Sequence, residues 1–137
     1  MRTRVEGRPL IAGEASGSSL VTDVPLSLWG GLDPVSGEVI DRRHPLSGLI
    51  VMGRILVLPQ GRGSCSASGV LLEAIRNGTA PAGIIVSTVD PILGLGAILG
   101  EELFGRVVPV VLVGQDDLAS IPADRHVTVR WDGAISW

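Results

Sequence analysis

Hydrophobic residues along this chain fall mainly into short runs that are separated by glycine, proline and polar residues. Short apolar or alternating runs bounded by turn residues are typical of β-strands. The sequence predicts strands at 10–12, 19–22, 49–58 (with a bend at Gly53), 82–88, 107–114 and 126–133, the last of which ends the domain. The segment LDPVSGEVIDRRHPLSG, residues 32–48, is predicted to be a long exposed loop with one small hairpin.

Two segments have a helical pattern. In SASGVLLEAIRNG, residues 66–78, the apolar residues Val70, Leu71, Ala74 and Ile75 share one helical face, and Gly78 marks the end. PILGLGAILGEELF, residues 91–104, also favours a helix, although its glycines leave the register open. A short helical turn is expected at 116–120.

The order of these elements predicts an α/β fold. Strands alternate with helices between residues 49 and 113, and further strands stand at both ends, which favours a mixed sheet with helices packed outside. The length of 137 residues suits a single domain over 1–137.

Composition narrows the possible chemistry. Hydrophobic residues make up 45% of the chain and the net charge is −3, so a globular protein without a nucleic-acid partner is expected. All basic residues are arginine, and tyrosine is absent. A general acid or base must therefore be a serine, Cys65, His44, His126 or a carboxylate.

Location is predicted from the cysteine content and from the start of the chain. One cysteine forms no internal disulfide, and residues 1–17 lack the apolar run of a signal peptide. The longest apolar stretch, residues 91–100, is too short to cross a bilayer. We therefore expect a cytoplasmic protein without a membrane segment.

The stretch GRGSCSAS, residues 61–68, is the strongest candidate site. Gly61 and Gly63 allow a sharp turn, and the first amides of the helix that follows have no intrahelical partner. Those amides, with Arg62, would favour a carboxylate, a phosphate or a developing alkoxide. Two interpretations remain open from the residues alone: an anionic-substrate site with a serine base, or capping serines around a buried Cys65.

Several familiar motifs are absent from this stretch. Ser66 breaks the pattern G-x-G-x-x-G, the P-loop lysine is missing, and no serine lies in G-x-S-x-G. Cys65 and two distant histidines lack the spacing of a zinc or cluster site. His44, which precedes a proline, is either functional or bonded to the backbone, and His126 is predicted to be structural.

Two longer segments carry a family resemblance. GGLDPVSGEVIDRRHPLSG and VLPQGRGSCSASGVLLEAIRNGTAPAGIIV, in this order, resemble the small subunit of aconitase X, and the resemblance covers roughly residues 13–113. It implies a swivelling β/β/α domain, with a barrel-like mixed sheet and flanking helices, that closes over a larger subunit. It also implies that the iron–sulfur cluster lies on that partner and that this chain holds no metal.

The resemblance also implies site residues. Other aconitases have a Gly-Ser-Ser-Arg turn that supplies a catalytic base, and the first serine of that turn corresponds to Ser64 here. Arg62, Gly63, Cys65 and Ser66 would then contact a small carboxylate substrate. Cys65 replaces the second serine and Ser66 replaces the arginine, which argues against a tricarboxylate.

Within the family, GRGSCSAS resembles the bacterial group that dehydrates cis-3-hydroxy-L-proline to a pyrroline carboxylate. Archaeal phosphomevalonate dehydratase subunits tend to read Gly-Lys-Gly-Ser at this point, and they provide the first alternative. A non-catalytic anion-binding or carrier module provides the second. Asp33 and His44 lie in the other family-like segment, at the cleft or at the subunit contact, without an assigned chemical role.

Overall fold

A computed structural model describes residues 2–62 and 66–137, with only the backbone of Arg62. This part of the chain contains the strands β1 (Arg4–Glu6), β2 (Arg8–Ile11), β3 (Ala15–Val21), β4 (Leu26–Ser27), β5 (Ile55–Val57), β6 (Gly61–Arg62), β7 (Gly83–Val86), β8 (Val110–Leu112), β9 (His126–Val129) and β10 (Ala134–Ser136). Its helices are α1 (Ser66–Asn77), α2 (Pro91–Phe104) and α3 (Gln115–Ser120).

Eight of these strands form one mixed sheet in the order β1-β10-β9-β3-β5-β7-β8-β2. Strands β3, β5, β7 and β8 are parallel neighbours, whereas β9, β10, β1 and β2 join by antiparallel pairing. The two remaining strands, β4 and β6, form a small parallel ladder. The predicted α/β class, with a mixed sheet and flanking helices, is confirmed.

The sheet is nearly closed into a barrel, because its two edge strands are consecutive in the chain. Only Gly7 separates β1 from β2, and the Gly7 N–H donates a hydrogen bond to the Gly133 carbonyl at 2.9 Å. Gly133 has a φ of +89°, and a Cβ there would lie 2.3 Å from the Gly7 oxygen. Gly7, the corner between the two edge strands, is therefore in close backbone contact with Gly133.

The sheet separates two hydrophobic clusters. Alternation along β5 illustrates this, since Ile55 and Val57 point into the barrel while Leu56 points toward the helices. The interior cluster comprises Val5, Ile55, Val57, Ile85, Val111, Val113, Ile121, Val127, Val129 and Ile135. The outer cluster lies between the sheet, α1, α2 and the segment 26–51.

The two long helices pack against each other through glycine. A Cβ on Gly96 would lie 2.9 Å from the Ser68 carbonyl oxygen, and one on Gly100 would lie 2.6 Å from Ile75. The glycines that obscured the register of α2 in the sequence are thus the residues that let α1 approach. The predicted face of α1 is confirmed, with Leu71, Ala74 and Ile75 buried and Val70 half-buried.

The prediction of an exposed loop at 32–48 is wrong in part. Leu32, Val39 and Leu46 are buried in the outer cluster, and His44 is buried as well, although the other polar residues between them remain accessible. The predicted hairpin is reduced to one antiparallel bridge, Leu32 with Val39, next to which the Asp33 N–H donates a hydrogen bond to the Glu38 carbonyl. Glu38 and Ile50 form a second isolated bridge. Apolar residues spaced several positions apart anchor an irregular chain, which neither strand nor helix periodicity indicates.

Strand boundaries also differ from the prediction. The run at 49–58 contains only β5, because Gly53 has a φ of +71° and the chain turns there before the strand begins. Near the start, β1 and β4 were not predicted, and β10 follows the strand that was expected to end the domain. These strands have two or three residues each, too few for a periodic pattern.

None of the helices in the described residues is long and apolar enough to cross a membrane.

Barrel closure provides a stability test. Gly133→Ala should lower the free energy of unfolding by about 2–4 kcal/mol, because it combines a left-handed backbone with a clash against Gly7. Gly94→Ala is the control, since nothing lies within 4 Å of a Cβ there and alanine favours a helix by up to about 1 kcal/mol. Urea unfolding followed by circular dichroism measures both, and equal midpoints would contradict the closure contact.

Candidate active site

A cleft of about 410 Å³ lies where the small β4–β6 ladder meets the beginnings of α1 and α2. Its floor is apolar, and its rim includes backbone and carboxylate groups. The lining residues are Leu26, Leu28, Gln60, Gly61, Ala67, Val89, Asp90, Pro91, Ile92 and Leu93. Two helix N-termini therefore border one opening.

Asp90 holds the rim of this cleft together. One carboxylate oxygen accepts hydrogen bonds from the N–H groups of Ile92 at 3.0 Å and Leu93 at 3.2 Å, which caps α2. The other oxygen accepts a hydrogen bond from the Gly61 N–H at 2.8 Å. Asp90 thus positions β6 against α2, and both of its oxygens are occupied.

Gly61 is required for a different reason than the sequence suggested. It lies in β6, opposite Leu26, and its φ is not in the left-handed region. A Cβ at Gly61 would lie 2.6 Å from the Asp90 carboxylate oxygen. The glycine therefore permits the close approach of Asp90 rather than a sharp turn.

The predicted site residues are only partly within the described chain. Gly63, Ser64 and Cys65 lie outside the described residues, and Arg62 is described only by its backbone, which pairs with Ser27. Ser66 is the exposed first residue of α1. Lining residues of the cleft flank this segment in the chain, with Gly61 before it and Ala67 after it.

The two helix N-termini differ electrostatically. The Asp90 carboxylate already compensates the positive end of α2 by accepting two of its first amides. The first turn of α1 contains no acidic residue, so no carboxylate of that turn offsets its partial positive charge. Of the two, α1 therefore has the greater capacity to stabilise an anion.

His44 has a structural role. Its buried ring accepts a hydrogen bond from the Leu46 N–H at Nδ1, at 3.0 Å, and donates one from Nε2 to the Val24 carbonyl at 3.1 Å. It lines a separate cleft of about 830 Å³, which Pro25 and Ser27 also border, whereas Leu26 lines the first. His44 thus anchors the loop to the β4 segment and does not line the candidate site.

Asp33 stabilises a turn. Its carboxylate accepts hydrogen bonds from the Val35 N–H at 2.9 Å and from the Ser36 hydroxyl at 3.0 Å. These two donors hold the pKa of the Asp33 carboxyl below its usual value. His126 is the exposed first residue of β9, and it takes part in strand pairing with Ser18.

The donor set of this chain does not fit an iron–sulfur cluster. Such a cluster needs several thiolate ligands, and the sequence contains one cysteine. Within residues 2–62 and 66–137, no group of three or more His, Cys, Asp or Glu side chains is arranged to hold a metal ion.

Comparison with known proteins identifies the family. The family model of the aconitase X swivel domain matches residues 4–136. A crystal structure of holo-form aconitase X from Thermococcus kodakaraensis superposes with a TM-score of 0.87 at 33% identity, covering 97% of this chain and 96% of that one. The chain belongs to the aconitase X swivel-domain family, and the predicted swivelling-domain fold is confirmed.

Two relatives with known names are similar in sequence to this chain. A cis-3-hydroxy-L-proline dehydratase from Pseudomonas aeruginosa is 56% identical over 117 residues, which are 84% of this chain and 20% of that protein. A phosphomevalonate dehydratase small subunit from Methanothermobacter thermautotrophicus is 38% identical over 88% of this chain and 87% of its own length. The chain thus spans about one fifth of the first relative and most of the second.

Sequence interpretation missed Asp90, although a signal was present. Asp90 precedes Pro91, and the pair Asp-Pro before an apolar run is typical of an N-cap followed by proline at the first helical position. The further contact with Gly61 joins residues that are far apart in the chain, so no local pattern reveals it.

Asp90→Ala tests this arrangement. The substitution leaves three backbone N–H groups without their acceptor, and it should lower the free energy of unfolding by roughly 2–4 kcal/mol. Asp90→Asn keeps one oxygen and should show an intermediate loss. The control is Asp23→Ala, whose exposed side chain forms no contact with this cleft. Equal urea midpoints for the Asp90→Ala and Asp23→Ala variants would exclude a stabilising bridge.

Proposed function

We propose that this chain is the swivelling part of a two-part hydro-lyase that dehydrates cis-3-hydroxy-L-proline, with Ser64 as the base. The proposal depends chiefly on one observation: the cleft residues Gly61 and Ala67 flank, in the chain, the family-like segment that contains Ser64. The identity of 56% with a dehydratase of this name supports the choice of substrate.

The reaction requires removal of the proton on the carbon next to the carboxylate. In the proposed step, the Ser64 oxygen takes this proton, and the C–H electron pair forms a double bond to the neighbouring carbon. The hydroxyl on that carbon leaves with a proton supplied from outside this chain, as water. The resulting enamine then tautomerises to a pyrroline-2-carboxylate.

A serine oxygen acts as a base only where its negative charge is stabilised. The beginning of α1, without an acidic residue in its first turn, is suited to this role. Arg62, Gly63, Cys65 and Ser66 would contact the substrate carboxylate. The Asp90 carboxylate is less suited to act as the base, because it already accepts hydrogen bonds from three backbone N–H groups.

The other groups that the reaction requires would belong to a partner polypeptide. We assign the iron–sulfur cluster to the large aconitase X polypeptide, because the single cysteine here does not provide its ligands. The isolated chain should therefore be inactive. Its reaction partners would be that polypeptide and a small carboxylate, without nucleic acid or membrane, in the cytoplasm.

Ser64→Ala tests the assignment of the base in the complex of this chain with its cognate large polypeptide. Loss of a positioned base typically costs 10²–10⁴-fold in rate, so kcat for cis-3-hydroxy-L-proline should fall by about that factor. Ser16→Ala, an exposed position on β3, is the matched control. Unchanged circular dichroism and unchanged association with the partner would show that only the chemistry is affected.

Two outcomes would contradict the proposal. Normal turnover by the Ser64→Ala complex would remove the serine from the mechanism. Wild-type complex that binds a carboxylate but converts no substrate would indicate a non-catalytic anion-binding or carrier module.

Phosphomevalonate is the second candidate substrate. A phosphomevalonate dehydratase small subunit from Methanopyrus kandleri is 52% identical over 88 residues, although these are only 64% of this chain. The wild-type complex should dehydrate cis-3-hydroxy-L-proline with a kcat/KM at least about tenfold above that for phosphomevalonate, which corresponds to about 1.4 kcal/mol. The reverse ratio would support the second candidate.

A further inference from the structure

Helix α2 presents an apolar face to solvent. Pro91, Leu95, Ile98 and Glu102 follow each other at intervals of three or four positions and so form one stripe. Leu95 is 44% exposed and Ile98 is 47% exposed. Leu103, beside this stripe in the last turn, is 62% exposed.

The opposite face of α2 is already occupied. Leu93, Gly96, Ala97 and Gly100 are buried, and the two glycines contact α1. The helix is therefore apolar on both faces, a pattern that is typical of helices buried on all sides. Because one side packs within this domain, the other side is suited to an additional protein surface.

The stripe is continuous with the cleft. Pro91 is exposed, lines the cleft and begins α2, and Leu95 lies one turn further along the same face. A polypeptide that closes the cleft from this side would contact the first turn of α2. Its surface would then extend along Leu95 and Ile98.

The charges on α2 limit which kind of protein can dock on its outer face. Glu101 and Glu102 lie in the last turn of α2, where carboxylates are unfavourable to the helix dipole, and within the described residues neither forms an ion pair. Helix α2 contains no basic residue. A second copy that docked through α2 would bring no cation from that helix, so a different partner with an apolar surface and basic side chains fits better.

We infer that the outer face of α2 is the docking surface for the large polypeptide of the same enzyme, through an apolar patch edged by Lys or Arg. The Pseudomonas dehydratase provides a source for such a surface, because four fifths of its length lies outside the segment that matches this chain. The inference rests on the proposed function for the identity of the partner. It adds the face through which the two parts meet.

Photo-crosslinking tests the contact directly. A benzoylphenylalanine residue placed at Leu95 in the full complex should form a covalent product with the large polypeptide, identified by mass spectrometry. The control position is Trp131, which is 57% exposed in the β9–β10 turn, away from α2. A product with a second copy of this chain, or equal yields at both positions, would overturn the inference.

Substitution provides an independent measurement. Ile98→Glu should raise the Kd for the large polypeptide at least about tenfold, whereas Trp131→Glu should leave the Kd unchanged. Glu101→Gln with Glu102→Gln should also reduce the dependence of Kd on salt concentration. If Ile98→Glu prevents folding, as judged by circular dichroism, the crosslink at Leu95 decides alone.

Failure of this inference is distinguishable from failure of the proposed function. Unchanged affinity of Ile98→Glu, together with loss of turnover in Ser64→Ala, would exclude the docking face and keep the catalytic role. Weakened affinity of Ile98→Glu in a complex that never dehydrates either substrate would keep the docking face and exclude the function.

Discussion

The candidate site depends on one carboxylate that joins two elements. Asp90 caps α2 with one oxygen and holds the Gly61 N–H with the other. The peptide that leaves Gly61 leads to the residues of the candidate site, and the helix that begins at Pro91 forms the opposite wall of the cleft. Without this bridge, the β4–β6 ladder of two residue pairs would have little to keep it against α2.

The Asp90 bridge also determines the electrostatics of the candidate site. Neither helix has an acidic residue in its first turn, but the Asp90 carboxylate caps the N-terminus of α2 and so offsets its partial positive charge, whereas no carboxylate of the first turn of α1 does this. The two helices that begin at this cleft therefore differ in the positive charge that remains at their N-termini. This asymmetry is consistent with a site in which one side is structural and the other receives an anion.

The sequence predicts the helices and the parallel strands because their periodicity and boundaries are local. Gly78 after α1 and the buried run of β7 are examples, and both appear where the pattern places them. The patterns fail where tertiary contacts decide the structure. Val39 is buried in an irregular segment, β10 forms because β1 and β9 lie on either side of it, and Asp90 reaches Gly61 across 29 positions. The family resemblance supplied the assignment of Ser64, which periodicity and spacing left open.

The closure of the barrel also has a consequence for how the molecule forms. Arg4 pairs with Ser136, and Arg8 pairs with Leu112, so the first strands find their neighbours only after nearly the whole chain is available. Bringing such distant residues together costs loop-closure entropy before the contacts stabilise the fold, and this slows folding. During synthesis on the ribosome, β1 and β2 would remain without their ladder partners until β10 and β8 had emerged, so the barrel would close in a late step of folding.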